Sequence, residues 1–214
     1  MKLCCESIVF FLCSIISLPL WSLEDSFEIS ERGYWIGDVL ECHATDAVLG
    51  EAIADFFIEE GAQDIVDFGC GIGTYISQFK KRGLNAEGYD GNPRTPEFTN
   101  GVCKILDLSE PFQLDKTFDW VMSLEVGEHL PQQYERIFIE NLMRHAKKGI
   151  VLSWAIKNQG GTGHFNEQNN DYIKSIFLSY GYVNDLKAEQ KLRSAVYNCM
   201  WFEKSLMVFR KANL

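Results

Sequence analysis

Apolar residues recur along this chain in two spacings, one typical of helices and one typical of buried strands. Helical spacing is followed by Val48, Leu49, Ala52, Ile53, Phe56 and Phe57. Thr45 or Asp46 can cap the start of this helix, and Gly61 can end it. A short apolar strand over 64–68, a glycine turn over 69–73 and a helix over 75–82 follow, which predicts a strand–turn–helix unit.

The same alternation continues through the middle of the chain. Further strands are predicted over 86–89, 102–106, 118–123 and 149–154, with a helix over 132–146 between the last two. Strands that alternate with helices form a mostly parallel sheet covered by helices on both faces. We therefore expect an α/β fold with three layers.

The C-terminal part departs from this alternation. A helix predicted over 168–180 is followed by Gly181 and by two β-rich runs, 195–201 and 206–209, with a turn over 202–205 between them. Two strands joined by so short a turn must run antiparallel. An antiparallel hairpin is therefore expected at the end of the sheet.

The N-terminal stretch has the pattern of a leader rather than of a folded element. Lys2 precedes an unbroken apolar run over 8–20 that shows no amphipathic period. A membrane-spanning helix needs about 20 apolar residues and a signal peptide roughly 7 to 15, which favours a secretory signal peptide over 1–22. One domain over 23–214 would then enter the secretory pathway. A membrane anchor formed by 8–20 and a buried helix are the alternatives.

Composition sets limits on the partners. The 214 residues are 46% hydrophobic with a net charge of −10, which fits one folded domain and offers no basic track for nucleic acid. Membrane contact is expected only through an uncleaved leader.

The cysteines that remain after the leader are Cys42, Cys70, Cys103 and Cys199. They form no C-x-x-C motif, so no disulfide pairing is predicted.

The candidate chemistry is concentrated in the first strand–turn–helix unit, where Asp67 precedes Gly69, Gly71 and Gly73. Glycines allow a ligand to approach the backbone, and a helix N-terminus offers unpaired N–H groups. Asp90 ends the next strand, about 20 residues further on, where a carboxylate can accept hydrogen bonds from a ribose. This combination predicts a nucleoside site.

The spacing of the glycines distinguishes between nucleoside cofactors. Thr74 stands where a dinucleotide pattern has its third glycine, which disfavours an NAD-dependent oxidoreductase. The Asp67 carboxylate would repel a diphosphate, whereas it suits the ammonium and sulfonium groups of S-adenosylmethionine. The segment 67–73 resembles the D-x-G-C-G-x-G motif of the class I, Rossmann-like S-adenosylmethionine-dependent methyltransferase superfamily. The resemblance extends in order and spacing over 64–155.

The resemblance implies a three-layer Rossmann-like sandwich with a mostly parallel seven-stranded sheet and a C-terminal antiparallel hairpin. It also implies that S-adenosylmethionine is bound by Asp67, Gly69, Gly71, Gly73, Asp90, Gly91, Asn92, Asp107, Leu108, Ser123, Leu124 and Glu125. Within this set Asp90 and the two residues after it would hold the ribose, Asp107 and Leu108 would flank the adenine, and the last three would close the site.

The expected activity is methyl transfer to an oxygen or nitrogen atom of an acceptor that the sequence does not identify. A non-catalytic nucleoside-binding module with the same fold is the alternative, because a fold alone does not establish activity.

A second cluster, Glu125, Glu128 and His129, forms an E-x-x-E-H run. Helical offsets would put the three on one face, where they could bind a divalent metal together with His164. This pattern resembles that of metal-using O-methyltransferases, but the spacing to His164 is not diagnostic, so a metal is not favoured. His129, His164 and Glu128 are the candidate catalytic residues, and either imidazole could take a proton from a hydroxyl acceptor. Plain loop packing is the alternative for both histidines.

Overall fold

The structure is a computed structural model that describes residues 27–40 and 42–212. The predicted leader over 1–22 lies outside these residues. Among the helices of the described part, none is long and apolar enough to cross a membrane.

The bounds of the elements show where the predicted alternation holds. The strands of the described residues are β1 (Phe27–Ile29), β2 (Trp35–Gly37), β3 (Asp64–Phe68), β4 (Asn85–Asp90), β5 (Cys103–Ile105), β6 (Phe118–Ser123), β7 (Ala146–Ser153), β8 (Tyr182–Asn184) and β9 (Leu206–Lys211). The helices are α1 (Ala47–Glu59), α2 (Thr74–Lys81), α3 (Thr95–Phe98), α4 (Glu135–His145), α5 (Asn170–Ser179), α6 (Leu186–Arg193) and α7 (Phe202–Ser205). Two 3₁₀ turns cover Gly127–His129 and Gln132–Tyr134.

Seven strands form one sheet in the order β5-β4-β3-β6-β7-β9-β8. The first five strands in this order run parallel, and β9 is antiparallel to both of its neighbours. The predicted fold class, an α/β sandwich with a mostly parallel sheet and antiparallel C-terminal strands, is confirmed. Strands β1 and β2 form a separate antiparallel pair that precedes α1.

The position of the antiparallel pair differs from the prediction. No strand forms over 195–201, and the predicted turn over 202–205 is the helix α7. The partner of β9 is instead β8, which follows α5 directly. The physical reason is that backbone N–H groups over 197–199 are hydrogen-bonded to a side chain and are unavailable to a strand ladder.

Apolar side chains fill both sides of the central sheet. On one side Trp120 of β6 packs against Phe56 of α1 with ring centroids 4.9 Å apart. On the other, Phe177 of α5 stacks on Phe209 of β9 at 4.1 Å. These aromatic contacts hold helices against both faces, so the loops at the carboxyl ends of the strands have fixed starting points.

Gly88, in the interior of β4, is constrained by two cysteine side chains. A Cβ atom at this position would lie 2.6 Å from the Cys103 sulfur and 2.9 Å from the Cys70 sulfur. Both thiols are free, and the Cys199 thiol is free as well. The missing side chain of Gly88 therefore provides the space in which the sulfur atoms of β5 and of the glycine turn meet.

Asp46 is the N-cap of α1, and its side chain is fully buried. One carboxylate oxygen accepts the Leu49 N–H at 3.0 Å. The other accepts the N–H groups of Tyr197, Asn198 and Cys199 at 2.7, 2.7 and 3.2 Å. Burial alone would raise the pKa of Asp46, but these hydrogen bonds outweigh it and lower the pKa. The start of α1 is thereby tied to the loop before α7.

We expect Asp46→Ala to lower the free energy of unfolding by about 3 kcal/mol, because it removes a helix cap and leaves buried N–H groups without an acceptor. Urea denaturation followed by circular dichroism measures this loss. Asp46→Asn keeps one acceptor oxygen but presents an amide donor to the opposing donors, so an intermediate loss is expected. A loss below 1 kcal/mol in Asp46→Ala would contradict a structural role for the carboxylate.

Candidate functional site

A cavity of about 460 Å³ lies at the carboxyl ends of the parallel strands, where open α/β sheets bind ligands. Nine of the residues predicted from the sequence line it: Gly69, Asp90, Gly91, Asp107, Leu108, Leu124, Glu125, His129 and His164. Six predicted residues lie outside its lining: Asp67, Gly71, Gly73, Asn92, Ser123 and Glu128. Most of the predicted residues are therefore brought together at one site.

The glycine turn between β3 and α2 has a backbone that other residues rarely adopt. Gly69, Gly71 and Gly73 have φ values of 85°, 52° and 74°. A Cβ atom at Gly71 would lie 2.9 Å from the His43 ring. The Gly71 N–H donates to the Asp90 carboxylate at 2.9 Å, which joins the turn to the end of β4.

Asp90 combines a structural contact with exposure to the cavity. Its second oxygen accepts the Asn92 N–H at 2.9 Å, so each carboxylate oxygen binds one backbone donor and keeps a lone pair for a ligand. Asn92 is turned away from the cavity, and its amide donates to the Gly37 carbonyl at 3.3 Å. Gly91 packs under Tyr34, whose Cβ would lie 2.5 Å from a Cβ on the glycine.

Asp107 lines the next part of the wall and is held from two directions. One oxygen accepts from the Ser109 N–H at 2.9 Å and from its hydroxyl at 2.6 Å. The other accepts from Arg32 of the N-terminal segment at 3.1 Å, and Arg32 also pairs with Glu110. Leu108 adds an almost fully buried apolar surface beside this carboxylate. The polar edge and the apolar face of this wall suit a flat heterocycle.

Asp67 and Ser123 are buried outside the cavity lining. Asp67 is 2% exposed, and burial raises its pKa well above the ordinary value, with further contributions from Cys103 and Asp90. The Ser123 hydroxyl donates to the Phe68 carbonyl at 2.6 Å, which links the ends of β6 and β3. Neither residue therefore presents its side chain in the cavity lining.

Glu125 lies outside the short 3₁₀ turn that contains the two residues with which the sequence grouped it. Glu125 has a φ of 52°, which places it in the left-handed region that non-glycine residues rarely adopt. The 3₁₀ turn that follows contains only residues 127–129. The two carboxylate oxygens of Glu125 accept from Gln159 at 2.6 Å and from Ser205 at 2.9 Å. The segment is therefore not the continuous helix that would have put all three residues of the E-x-x-E-H run on one face.

Glu128, His129 and His164 do come together. One ligand atom from each lies within 4.8 Å of the other two, so the three could hold a divalent cation. Glu128 is fully buried, and neither of its oxygens has a hydrogen-bond partner among the described residues. Burial, followed by the Glu125 charge, raises the pKa of Glu128 well above its usual range. The nearby backbone amides of Glu128 and Ala155 offset part of this rise without reaching hydrogen-bond geometry.

The His129 ring has a defined tautomer because of its partner. Its Nδ1 lies 3.1 Å from the Gly163 carbonyl, which can only accept, so Nδ1 carries the proton and Nε2 has the lone pair. Burial is the main cause that lowers the pKa of His129 to about 4, and the charges of His164 and His43 add to it. His129 is therefore neutral at physiological pH.

The residues that the sequence did not indicate come mainly from the segment before α1. Trp35 stacks on His43 at 5.4 Å and meets the His129 ring edge-on at 5.4 Å. Arg32 and Tyr34 line the cavity beside them, and Trp201 does so from the C-terminal loop. The run Gly33-Tyr34-Trp35 is aromatic, but it matches no motif, since its role arises only from tertiary packing.

Comparison with known proteins was made for sequence and for structure. A family model described as a methyltransferase domain matches residues 43–159. A probable chloroplastic tocopherol O-methyltransferase of Oryza sativa subsp. japonica is 32% identical over 117 residues, which are 47% of this chain and 31% of that protein. The chloroplastic tocopherol O-methyltransferase of Arabidopsis thaliana is 30% identical over 153 residues, 63% of this chain and 42% of that protein. These matches span less than half of each curated relative.

Among solved structures, magnesium protoporphyrin IX methyltransferase from Synechocystis PCC 6803 with bound SAH superposes with a TM-score of 0.59. The sequences are 16% identical, and the superposition covers 76% of this chain and 82% of the other. At this identity the likeness concerns the fold.

The low pKa of His129 predicts a measurable effect on acid stability. The unfolded imidazole binds a proton near pH 6.5 and the folded one only near pH 4. The unfolded state therefore binds more protons between these values, so stability is retained above pH 6.5 and lost as the pH falls towards 4. Relative to His129→Gln, the wild type should lose about 3 kcal/mol over this window. Urea unfolding at several pH values measures the difference, and parallel stability curves would contradict the burial argument.

Proposed function

Because the chain belongs to the methyltransferase domain family, we propose that it is an S-adenosylmethionine-dependent methyltransferase that transfers a methyl group to an oxygen or nitrogen atom of an acceptor. The main support is the position of Asp90. Its carboxylate lines the cavity at the end of β4 while it binds the Gly71 N–H of the glycine turn. A ribose diol at this point would meet a charged acceptor with free lone pairs.

The remaining walls also fit the cofactor. Leu108 and the Asp107 carboxylate edge suit an adenine ring and its amino group. The negative charges of Asp90, Asp107 and Glu125 favour a ligand with cationic ammonium and sulfonium groups. The bound SAH in the solved magnesium protoporphyrin IX methyltransferase further supports this assignment.

When bound, S-adenosylmethionine supplies a methyl group already activated by the sulfonium. The task of the protein is then to align the acceptor with the methyl carbon at near-contact distance and to exclude water. The N-terminal segment contributes to both tasks, because Tyr34, Trp35 and His43 cover the cavity above the glycine turn. Trp35, Trp201 and the two histidines then form an aromatic and imidazole wall for the acceptor.

We expect Asp90→Ala to weaken S-adenosylmethionine binding by roughly 1.5 to 3 kcal/mol, because charge-assisted hydrogen bonds to the ribose are lost. Isothermal titration calorimetry with S-adenosylmethionine measures the change. Asp55→Ala is the matched control, since Asp55 is an exposed carboxylate on α1 that does not line the cavity. Unchanged affinity in a folded Asp90→Ala protein would show that this residue does not bind the cofactor.

Binding of S-adenosylmethionine without transfer of labelled methyl groups into any fraction of an extract would favour a non-catalytic module.

We also propose that residues 1–22 act as a secretory leader, on the basis of their apolar pattern. The mature chain is then expected to begin near Leu23, and intact mass spectrometry of secreted protein gives its first residue. Recovery of a soluble cytosolic product that retains Met1 would exclude cleavage.

A further inference from the structure

We propose that the methyl acceptor is an uncharged small molecule with an apolar extension, and that this extension lies on three exposed apolar side chains beside the cavity. These side chains are Val48, Tyr197 and Met200, which we call the apolar patch. This inference rests on the proposed methyltransferase function and names the acceptor class of the same site.

The apolar patch comes from two segments that are distant in sequence. Tyr197 and Met200, in the loop before α7, are 71% and 52% exposed, and Val48, in the first turn of α1, is 48% exposed. A single exposed apolar side chain is common on protein surfaces, whereas several that lie together mark a site of interaction.

The buried Asp46 carboxylate brings these two segments together. Asp46 stands two residues before Val48 and accepts the N–H groups of Tyr197 and Asn198 at 2.7 Å each. The loop before α7 is therefore fixed against the start of α1, so that the exposed side chains of the two segments are neighbours. They form one patch rather than scattered positions.

Both segments also line the cavity. Ala44 does so shortly before α1, and Trp201 does so directly after Met200. The Trp201 ring lies 5.7 Å from the ring of Phe202, which is a lining residue as well. A ligand that extends out of the cavity past Trp201 therefore continues onto the apolar patch.

The size of the cavity gives a reason for such an extension. Its volume of about 460 Å³ is in the lower part of the range for sites that hold one small ligand. It has room for the cofactor and the reacting end of an acceptor. The rest of a larger acceptor would then lie on the surface beside the cavity, where an apolar group can be covered only by apolar side chains.

The charges around the patch favour an uncharged ligand. Neither 42–50 nor 195–203, the two segments that carry the patch, contains a lysine or an arginine. A phosphate backbone or an anionic lipid headgroup would therefore find no cation there.

The cavity lining has the same bias against anions. Arg32 is the one lysine or arginine among the described lining residues, and it is already paired with Asp107 and Glu110. Asp90 and Glu125 add two further carboxylates to the lining. An anionic acceptor would be repelled by these groups without a free cation to offset the repulsion.

A series of probes that differ only in chain length tests the patch. The complex of the protein with SAH is titrated with 4-ethylphenol, 4-butylphenol and 4-hexylphenol, and affinities are measured by ligand-observed NMR. Affinity is expected to rise roughly twofold with each added methylene, because a chain on a surface is buried on one side only. An affinity that does not depend on chain length would overturn the proposal.

Substitutions at the patch show whether the chain lies there. Met200→Ser and Tyr197→Ser should each lower the hexyl-to-ethyl affinity ratio from roughly 16-fold to roughly fourfold or less, whereas Met200→Leu should preserve it. Leu178→Ser is the matched control, since Leu178 is an equally exposed apolar residue on α5 that does not line the cavity. Unchanged ratios in both serine variants of the patch, or an equal loss in Leu178→Ser, would overturn the proposal.

Other occupants of the patch are tested with the same variants. Flotation with phosphatidylcholine vesicles and sedimentation velocity should give the same result for the wild type and for Met200→Ser. Both proteins carry residues 1–22, so a difference between them reports on the patch. Vesicle binding or a dimer that Met200→Ser abolishes would overturn the proposal.

Titration of the wild type with SAH separates this inference from the function on which it rests. A wild type that fails to bind SAH would overturn the proposed function and the acceptor class with it. A wild type that binds SAH but shows no dependence on chain length would overturn the acceptor class alone.

Discussion

The buried Asp46 carboxylate is the contact on which the shape of the cavity depends. It binds the first turn of α1 and the backbone of the loop over 197–199, which lies 151 to 153 residues further along the chain. Its own N–H donates to the Tyr75 hydroxyl, so α2 joins the same cluster. The N-terminal segment, the helix after the glycine turn and the loop that carries Trp201 thus meet at one residue, and each of them supplies part of the cavity wall.

The two halves of the cavity have different physical origins. The half assigned to the cofactor consists of turns that directly follow parallel strands, so the sheet itself sets the spacing of Gly69, Asp90 and Asp107. The half assigned to the acceptor consists of longer loops whose positions depend on side-chain contacts, such as the bonds of Glu125 to Gln159 and Ser205. This difference accords with the division between a common fold and variable specificity in α/β enzymes.

The same difference explains what the sequence could predict. The strands over 64–68 and 118–123 were predicted with the bounds that the structure has, because buried parallel strands are continuous apolar runs. The run over 195–201 has an equally strong β pattern, but Asp46 takes up three of its N–H groups and no strand forms. Local pattern carries no information about a hydrogen-bond acceptor that is some 150 residues away.

The residues of the candidate site show the same limit of local sequence pattern. Asp90 stands at a strand end and was found from its spacing to the glycines, whereas Trp35 and His43 reach the cavity through packing that no motif records. The resemblance grouped Asp67 and Ser123 with the binding residues, whereas in the structure both are buried outside the cavity lining and the Ser123 hydroxyl joins two strands. Spacing along the chain therefore locates an edge of the sheet, but it does not give the direction of each side chain.

The missing side chain of Gly88 limits which substitutions this part of the core can accept. Its missing side chain, the Cys70 sulfur and the Cys103 sulfur occupy one small volume between β4, the glycine turn and α2. A Cβ at position 88 would lie within 3 Å of both sulfur atoms and of an Ile76 side-chain carbon, so at least one of these neighbours would have to move or become smaller. Among homologues, a change of Gly88 should therefore be accompanied by a change at one or more of these neighbouring positions.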